Sequence, residues 1–207
     1  MTVNRKKRGR PNLNQPLLSA ESIMEQSKSL LHDTGTIPSI RSIARELNVD
    51  PMAIYHYFPN KSALLEAVTT SLLETLYEPT GECEWHDELE LLCASYLSLL
   101  GNYANLLETM LSMKTAGPTV VFTKRYQQII APLNLADQVR KDTLDFLVDY
   151  LHGFALARRC NQTDQPLKQD MTKGPLALLF QILQTHDQRP RSTGSERFSR
   201  HPSNYPE

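Results

Sequence analysis

The sequence predicts an all-α chain built from two helical parts, and three observations carry that prediction. Apolar residues recur every three to four positions through most of residues 19–187, which is the period of one helix face. No segment alternates apolar and polar residues long enough to make a strand. Helix-starting residues (Ser19, Ser39, Asp50-Pro51, Asn60) and helix-stopping ones (Gly35, Pro59, Pro132) punctuate the apolar runs.

Residues 1–14 read as a flexible basic arm. They hold Arg5, Lys6, Lys7, Arg8 and Arg10, no acid and almost nothing apolar, so they bury too little surface to fold alone. A first domain is expected over 15–77. Ser19 caps a helix carrying Ile23, Met24, Leu30 and Leu31, which Gly35 stops. Ser39 caps a second, with Ile40, Ile43, Ala44 and Leu47 as its stripe. Asn48 sits in the following turn and tolerates a left-handed backbone. Asp50 and Pro51 then start a short helix over about 51–57, and Pro59 ends it by disfavouring helical geometry at Phe58. Asn60 caps a longer fourth helix with Leu64, Leu65, Val68, Leu72 and Leu76 inward.

Residues 77–86, "YEPTGECEWH", read as a linker. Residues 74–90 contain seven acids and no Lys or Arg, which fits a solvated acidic face. A second helical domain is expected over 86–187, resuming at Asp87, with a break at Gly101-Asn102 and a further helix after Gly117. Its longest pattern covers 136–160, and a last apolar helix covers 174–187. Residues 188–207 have the composition of a disordered tail.

Composition narrows the function classes. The chain has 207 residues, 40% of them hydrophobic, and no apolar run approaches the roughly 18 residues of a membrane span. The start "MTVNRKKRGRP" lacks the apolar stretch of a secretory signal. A soluble cytoplasmic protein with no membrane partner is expected. Cys83, Cys93 and Cys160 form no CxxC pair, and Cys83 with His86 lacks the second half of a zinc site. No metal and no cofactor are therefore expected. No Gly-rich phosphate loop, nucleophile elbow or HExxH appears, so an enzyme is not expected. The net charge of −1 hides an asymmetry: residues 1–65 carry nine Lys/Arg and five Asp/Glu, the remainder thirteen and eighteen. That pattern favours a polyanion as the partner of the N-terminal part.

Residues 39–57 have the spacing of a helix-turn-helix, whose second helix enters the major groove of DNA. Ile43, Ala44, Leu47, Val49 and Ile54 would hold the two helices together. With Ile54 and Phe58 inward, Tyr55 and Tyr57 project onto other faces, where their hydroxyls can reach phosphate oxygens. Lys61 lies in the first turn of the next helix, where the helix dipole disfavours a cation, so an external anion is implied.

The stretch "IARELNVDPMAIYHYFPNKSALLEAV" resembles the DNA-binding domain of the tetracycline-repressor-like (TetR) family of bacterial transcriptional regulators. The likeness covers about residues 19–76 and extends more loosely to the helical second half. It implies an N-terminal helix-turn-helix DNA-binding domain and a C-terminal helical ligand-binding and dimerisation domain. Position by position, it implies that Ser39 and Arg41 contact phosphate and that Pro51, Met52 and Ala53 face base edges. Tyr55, Tyr57 and Lys61 would clamp the backbone, while His56 either joins them or packs beside the first helix. Asn48 stands where Gly is common, and the start of the recognition helix departs from the usual pattern, leaving the operator unread. "RGRP", with Arg8 and Arg10, resembles an AT-hook core, and arginines of that kind lie in narrow A·T-rich minor grooves.

The same resemblance implies a homodimer on double-stranded DNA with a palindromic operator, released by an unidentified small-molecule effector. The alternative is a DNA-binding regulator or architectural protein under a protein partner, without a small ligand. Expected pocket residues are Met110, Met113, Phe122, Tyr126, Phe146, His152 and Arg158. Expected dimer residues are Leu144, Leu147, Leu151 and Phe154 on one helix and Leu176, Leu179, Phe180 and Leu183 on the other. The tetracycline repressor's own drug-and-magnesium residues have no counterpart that can be placed on this chain.

Overall fold

A computed structural model describes residues 18–103, 105–113, 117–162 and 165–189, and all regular structure among them is helical. The order is α1 (Ala20–Thr34), α2 (Ile40–Glu46), α3 (Pro51–Tyr55), α4 (Lys61–Leu73), α5 (Trp85–Asn102), α6 (Leu106–Ser112), α7 (Gly117–Ile130), α8 (Asp137–Cys160), a short 3-10 turn (Gln169–Thr172) and α9 (Lys173–His186). The basic arm, with Arg8 and Arg10, and most of the C-terminal tail lie outside the described residues.

Local chemistry sets the ends of α1 to α4. Ser19 and Ser39 each form a reciprocal cap with the serine three residues on, Ser22 and Ser42. Gly35, at φ 61°, turns the chain out of α1. Asn48, at φ 54°, makes the turn between α2 and α3, and the Val49 amide then donates to the Ala44 carbonyl at 2.9 Å. Asp50 accepts from the Met52 amide and Asn60 from the Ala63 amide, so α3 and α4 both begin on side-chain caps. Ile23, Leu31, Ile43, Ala44, Ile54, Phe58, Leu64 and Val68 are buried together.

Helix α4 belongs to both halves of the chain. It packs on α1 on one side and on α7 and α5 on the other, and the buried apolar cluster runs unbroken from Ile23 to Leu183. Arg125 of α7 is buried and carries its guanidinium to the C-terminal end of α4. Nη1 donates to the carbonyls of Leu76 at 2.6 Å and Leu73 at 3.3 Å, and Nη2 donates to that of Glu74 at 2.8 Å. The last carbonyls of a helix lack partners inside the helix and carry its negative dipole end. A single cation thus binds carbonyls at the end of α4 and in the turn that follows it.

The acidic connection is more ordered than a solvated linker. Glu88 is buried, and its Oε1 accepts from the amides of Thr80 and Gly81, both at 2.8 Å, and from the Tyr77 hydroxyl at 3.3 Å. Burial by itself raises its pKa, but these donors outweigh it and hold the carboxyl below its ordinary range. Helix α5 begins at Trp85, two residues before Asp87, because the indole is buried against the edge of Phe180. Gly101 and Asn102 stay inside α5, and the break falls at Tyr103–Asn105, where Asn105 takes φ 64°.

Helices α8 and α9 turn the expected dimer stripe inward. Leu147, Leu151, Leu176, Leu179 and Leu183 are buried in the chain's own core, and Leu144, Phe154 and Phe180 pack against it. Burying one such leucine contributes about 1.5–3 kcal/mol, so the monomer core already uses these side chains. The outward faces carry Phe146, Leu178 and Ile182, exposed by 57%, 62% and 44%.

Candidate nucleic-acid interface and effector cavity

The α2–turn–α3 unit presents a polar and aromatic surface over a dry support. Ile54 is fully buried beneath it, while Met52 is 65% exposed and leads the outer side of α3. Pro51 and Ala53 are half-buried; Tyr55 and His56 are exposed. His56 caps the end of α3 and does not pack beside α1 as a core side chain. Arg41 and Lys61 are exposed, with no ion pair to an acid of the chain among the described residues. The Ser39 hydroxyl is held in its cap with Ser42, accepting from the Ser42 amide at 3.0 Å.

Tyr57 has a second occupation that its sequence position did not reveal. Its hydroxyl donates to the Leu18 carbonyl at 2.6 Å, a contact spanning thirty-nine positions. The ring stays partly exposed beside α3. The tyrosine therefore ties the turn after α3 to the point where the chain enters α1.

The expected pocket residues do not come together around one space. Tyr126 is fully buried and shares a hydrogen bond of 2.7 Å with Thr143, while Phe122 packs on Tyr96 with ring centres 4.9 Å apart. His152 Nε2 shares a hydrogen bond of 2.7 Å with the Tyr96 hydroxyl. Burial lowers the His152 pKa, nearby Asp149 opposes this weakly, and burial raises that of Tyr96. The two side chains thus satisfy each other in a half-buried contact. Met110 packs partly buried against the core, Met113 closes α6 half-buried, and Phe146 points out to solvent rather than into any interior space. Only Arg158 of the expected set lines the cavity described next.

That cavity, about 200 Å³, lies between the C-terminal halves of α5 and α8 and the start of α6. Leu97, Leu100, Tyr103, Leu107, Ala155 and Leu156 make its apolar wall, and Asn105, Arg158 and Arg159 its polar end. Arg159 pairs with Glu108 and donates to Asn105 Oδ1 at 3.3 Å. Hydrogen bonding from Arg159 lowers the Glu108 pKa. Asn105 Nδ2 in turn donates to the carbonyl of Gly35 at the end of α1, and the Tyr103 ring meets His32 of α1 edge-on at 5.7 Å. In the sequence these wall residues were signalled only by the irregular "GNYAN" and the paired arginines ending α8.

Comparison with known proteins agrees with this arrangement. Residues 23–68 match the family model of bacterial regulatory proteins, tetR family. No curated protein matches the chain. Among solved structures, BioQ with its natural double-stranded DNA operator superposes with a TM-score of 0.65 at 24% identity, covering 82% of this chain and 99% of that one. ActR from Streptomyces coelicolor in complex with actinorhodin gives a TM-score of 0.71 at 17% identity, covering 84% and 98%. TetR-Q116A from Acinetobacter baumannii AYE in complex with minocycline gives 0.62 at 18% identity, covering 81% and 96%. Residues 23–68 thus resemble the helix-turn-helix domain of the tetR family of bacterial regulatory proteins, and the chain shares the all-helical fold of these solved structures.

Proposed function

We propose that the chain is a homodimeric repressor that binds a palindromic operator and leaves it when a small-molecule effector binds. The observation that carries this reading is the exposure of Phe146 on α8 and of Leu178 and Ile182 on α9, on a chain with one five-residue recognition helix. One such helix grips a few base pairs, whereas a twofold pair presents two helices to successive major grooves about 34–36 Å apart. Packing α8 and α9 against their counterparts would cover these side chains and fix that spacing. In this reading residues 15–77 bind DNA and residues 86–187 dimerise and bind the effector.

Met52, with Pro51 and Ala53, would meet base edges, where apolar groups contact thymine methyls. Arg41, Tyr55, His56 and Lys61 would hold phosphates, Ser39 and Tyr57 would join them by giving up their hydrogen bonds to Ser42 and Leu18, and Arg8 and Arg10 would reach the neighbouring minor groove. The protein would work in the bacterial cytoplasm, where the DNA lies. Effector control is supported by the cavity at Arg158, whose wall touches α1. A second reading, control by a protein partner, is favoured by the close packing of Tyr96, Phe122 and Tyr126 in the middle of the domain. Among the described residues no helix is long and apolar enough to cross a membrane.

The test joins light scattering to selection of bound DNA from a random pool. The wild-type chain should run as a dimer and select an inverted repeat. Ile182→Glu with Phe146→Glu should run as a folded monomer with weakened operator binding. A folded, double-substituted protein that remains a dimer would remove α8–α9 as the interface.

A further inference from the structure

We infer that the cavity at the end of α8 takes a small amphipathic carboxylate, anchored by Arg158, and that its occupancy is felt in the DNA-binding domain through Asn105 and Tyr103. The inference rests on the effector-controlled reading above and gives that effector a chemical class.

Size sets the first limit. The cavity of about 200 Å³ lies between one that just admits benzene and the 300 Å³ or more of drug-sized pockets, so about ten to twelve non-hydrogen atoms fit. Its leucine and alanine wall suits a single ring or a short alkyl chain. Charge sets the second limit. Among the described residues no acid lines the cavity, while two arginines do. Arg159 is already neutralised by Glu108 and rests on Asn105. Arg158 is half-buried and has no hydrogen-bond or ion partner among the described residues. A guanidinium cannot shed its proton, so in this partly dry place it calls for an anion. Its planar fork matches a carboxylate with two parallel hydrogen bonds. One unpaired cation balances one negative charge, which favours a carboxylate over a phosphate dianion.

The polar end of the cavity is also the seam between the two halves of the chain. Asn105 accepts from Arg159 and donates to Gly35, the residue that ends α1, and Tyr103 touches His32 one turn earlier. An anion seated beside Arg158 competes for the neighbouring Arg159 and so disturbs the Arg159–Asn105–Gly35 chain. A ligand that binds better to the disturbed arrangement than to the DNA-bound one shifts the population off the operator, by its difference in affinity for the two.

Calorimetry with octanoate and phenylacetate tests the first half, against phenethylamine, 2-phenylethanol and phenyl phosphate as controls. The carboxylates should bind about tenfold or more tightly than the controls, and Arg158→Gln should weaken them by about the same factor, that of one charge-assisted hydrogen-bonded pair. Because Arg158 has no partner among the described residues, this variant should melt as the wild type does. Equal binding of acid, amine and alcohol, or unchanged binding in Arg158→Gln, overturns the inference. No binding of either carboxylate by a protein that still selects an operator also overturns it, and leaves the DNA-binding reading intact. Anisotropy of the selected operator tests the second half. Phenylacetate should weaken operator binding by the wild type but not by Asn105→Gly, which keeps the left-handed backbone and loses the amide. Carboxylate binding with no change in operator affinity overturns the coupling, and with it control through this cavity.

Discussion

Arg125 is the side chain whose removal should report most directly on how the two halves are joined. It is buried with no ion pair among the described residues, and its charge rests on the carbonyls of Leu76, Glu74 and Leu73 at 2.6, 2.8 and 3.3 Å. Hydrogen bonds from a charged donor contribute about 1.5–3 kcal/mol each. The 3.3 Å contact is long and counts for little, which leaves two good bonds. Against them stands the cost of keeping a guanidinium out of water, which disappears with the side chain. Arg125→Ala should therefore cost about 3 kcal/mol, or roughly 6–12 °C in Tm for a chain of this size. Arg125→Lys, with a single ammonium reaching one carbonyl well, should lose about half as much. Urea unfolding at matched protein concentration measures the loss, since dimerisation would make stability depend on concentration. Hydrogen exchange should locate it, with protection falling first at Thr75–Tyr77. A loss under about 1 kcal/mol, or unchanged protection at the end of α4, would refute the cap.

The other expectations are narrower. Lys61→Ala should weaken binding to many DNA sequences nearly alike and lower the salt slope by about one; filter binding at several salt concentrations checks this, and an unchanged slope removes Lys61 from the phosphate contacts. Tyr57→Phe should cost about 1 kcal/mol of stability, measured by urea unfolding, because the Leu18 carbonyl loses its donor; a neutral result would make that contact dispensable. The folded-state pKa of His152 is lowered, so the unfolded chain binds more protons between the two values. Stability should then be full above the unfolded value of about 6.5 and fall as pH drops through the folded one. His152→Phe should flatten that part of a Tm-against-pH curve, and an unaltered curve would show that the histidine does not titrate between the two states.

The starts of α1, α2, α3 and α4 were legible in the sequence, while α3 and α4 stop at Tyr55 and Leu73, short of the expected 57 and Leu76. Ser19, Ser39, Asp50-Pro51 and Asn60 act on amides two or three residues away, and Asn48 needs only its own backbone preference. Such interactions hold whatever packs against the helix. The support beneath the outer surface of α3 was legible for the same reason: Ile54 and Phe58 are four apart, and α3 is too short to offer another inward face. Tertiary structure decided what lay at longer range. Helix α8 has apolar residues on two faces, so periodicity alone could not say that Leu147 and Leu151 turn inward and Phe146 outward; the neighbours of α8 made that choice. Glu88 read as one more acid in a solvated run until the fold brought the amides of Thr80 and Gly81 to it. Arg125 meets its carbonyls across about fifty positions, and Asn105 meets Gly35 across seventy. Local sequence set the capped starts of α1 to α4 and the spacing of the α2–turn–α3 unit, because each depends on residues within a turn or two. The cavity and the ties between the two halves depend on groups distant along the chain, whose meeting only the packed helices bring about.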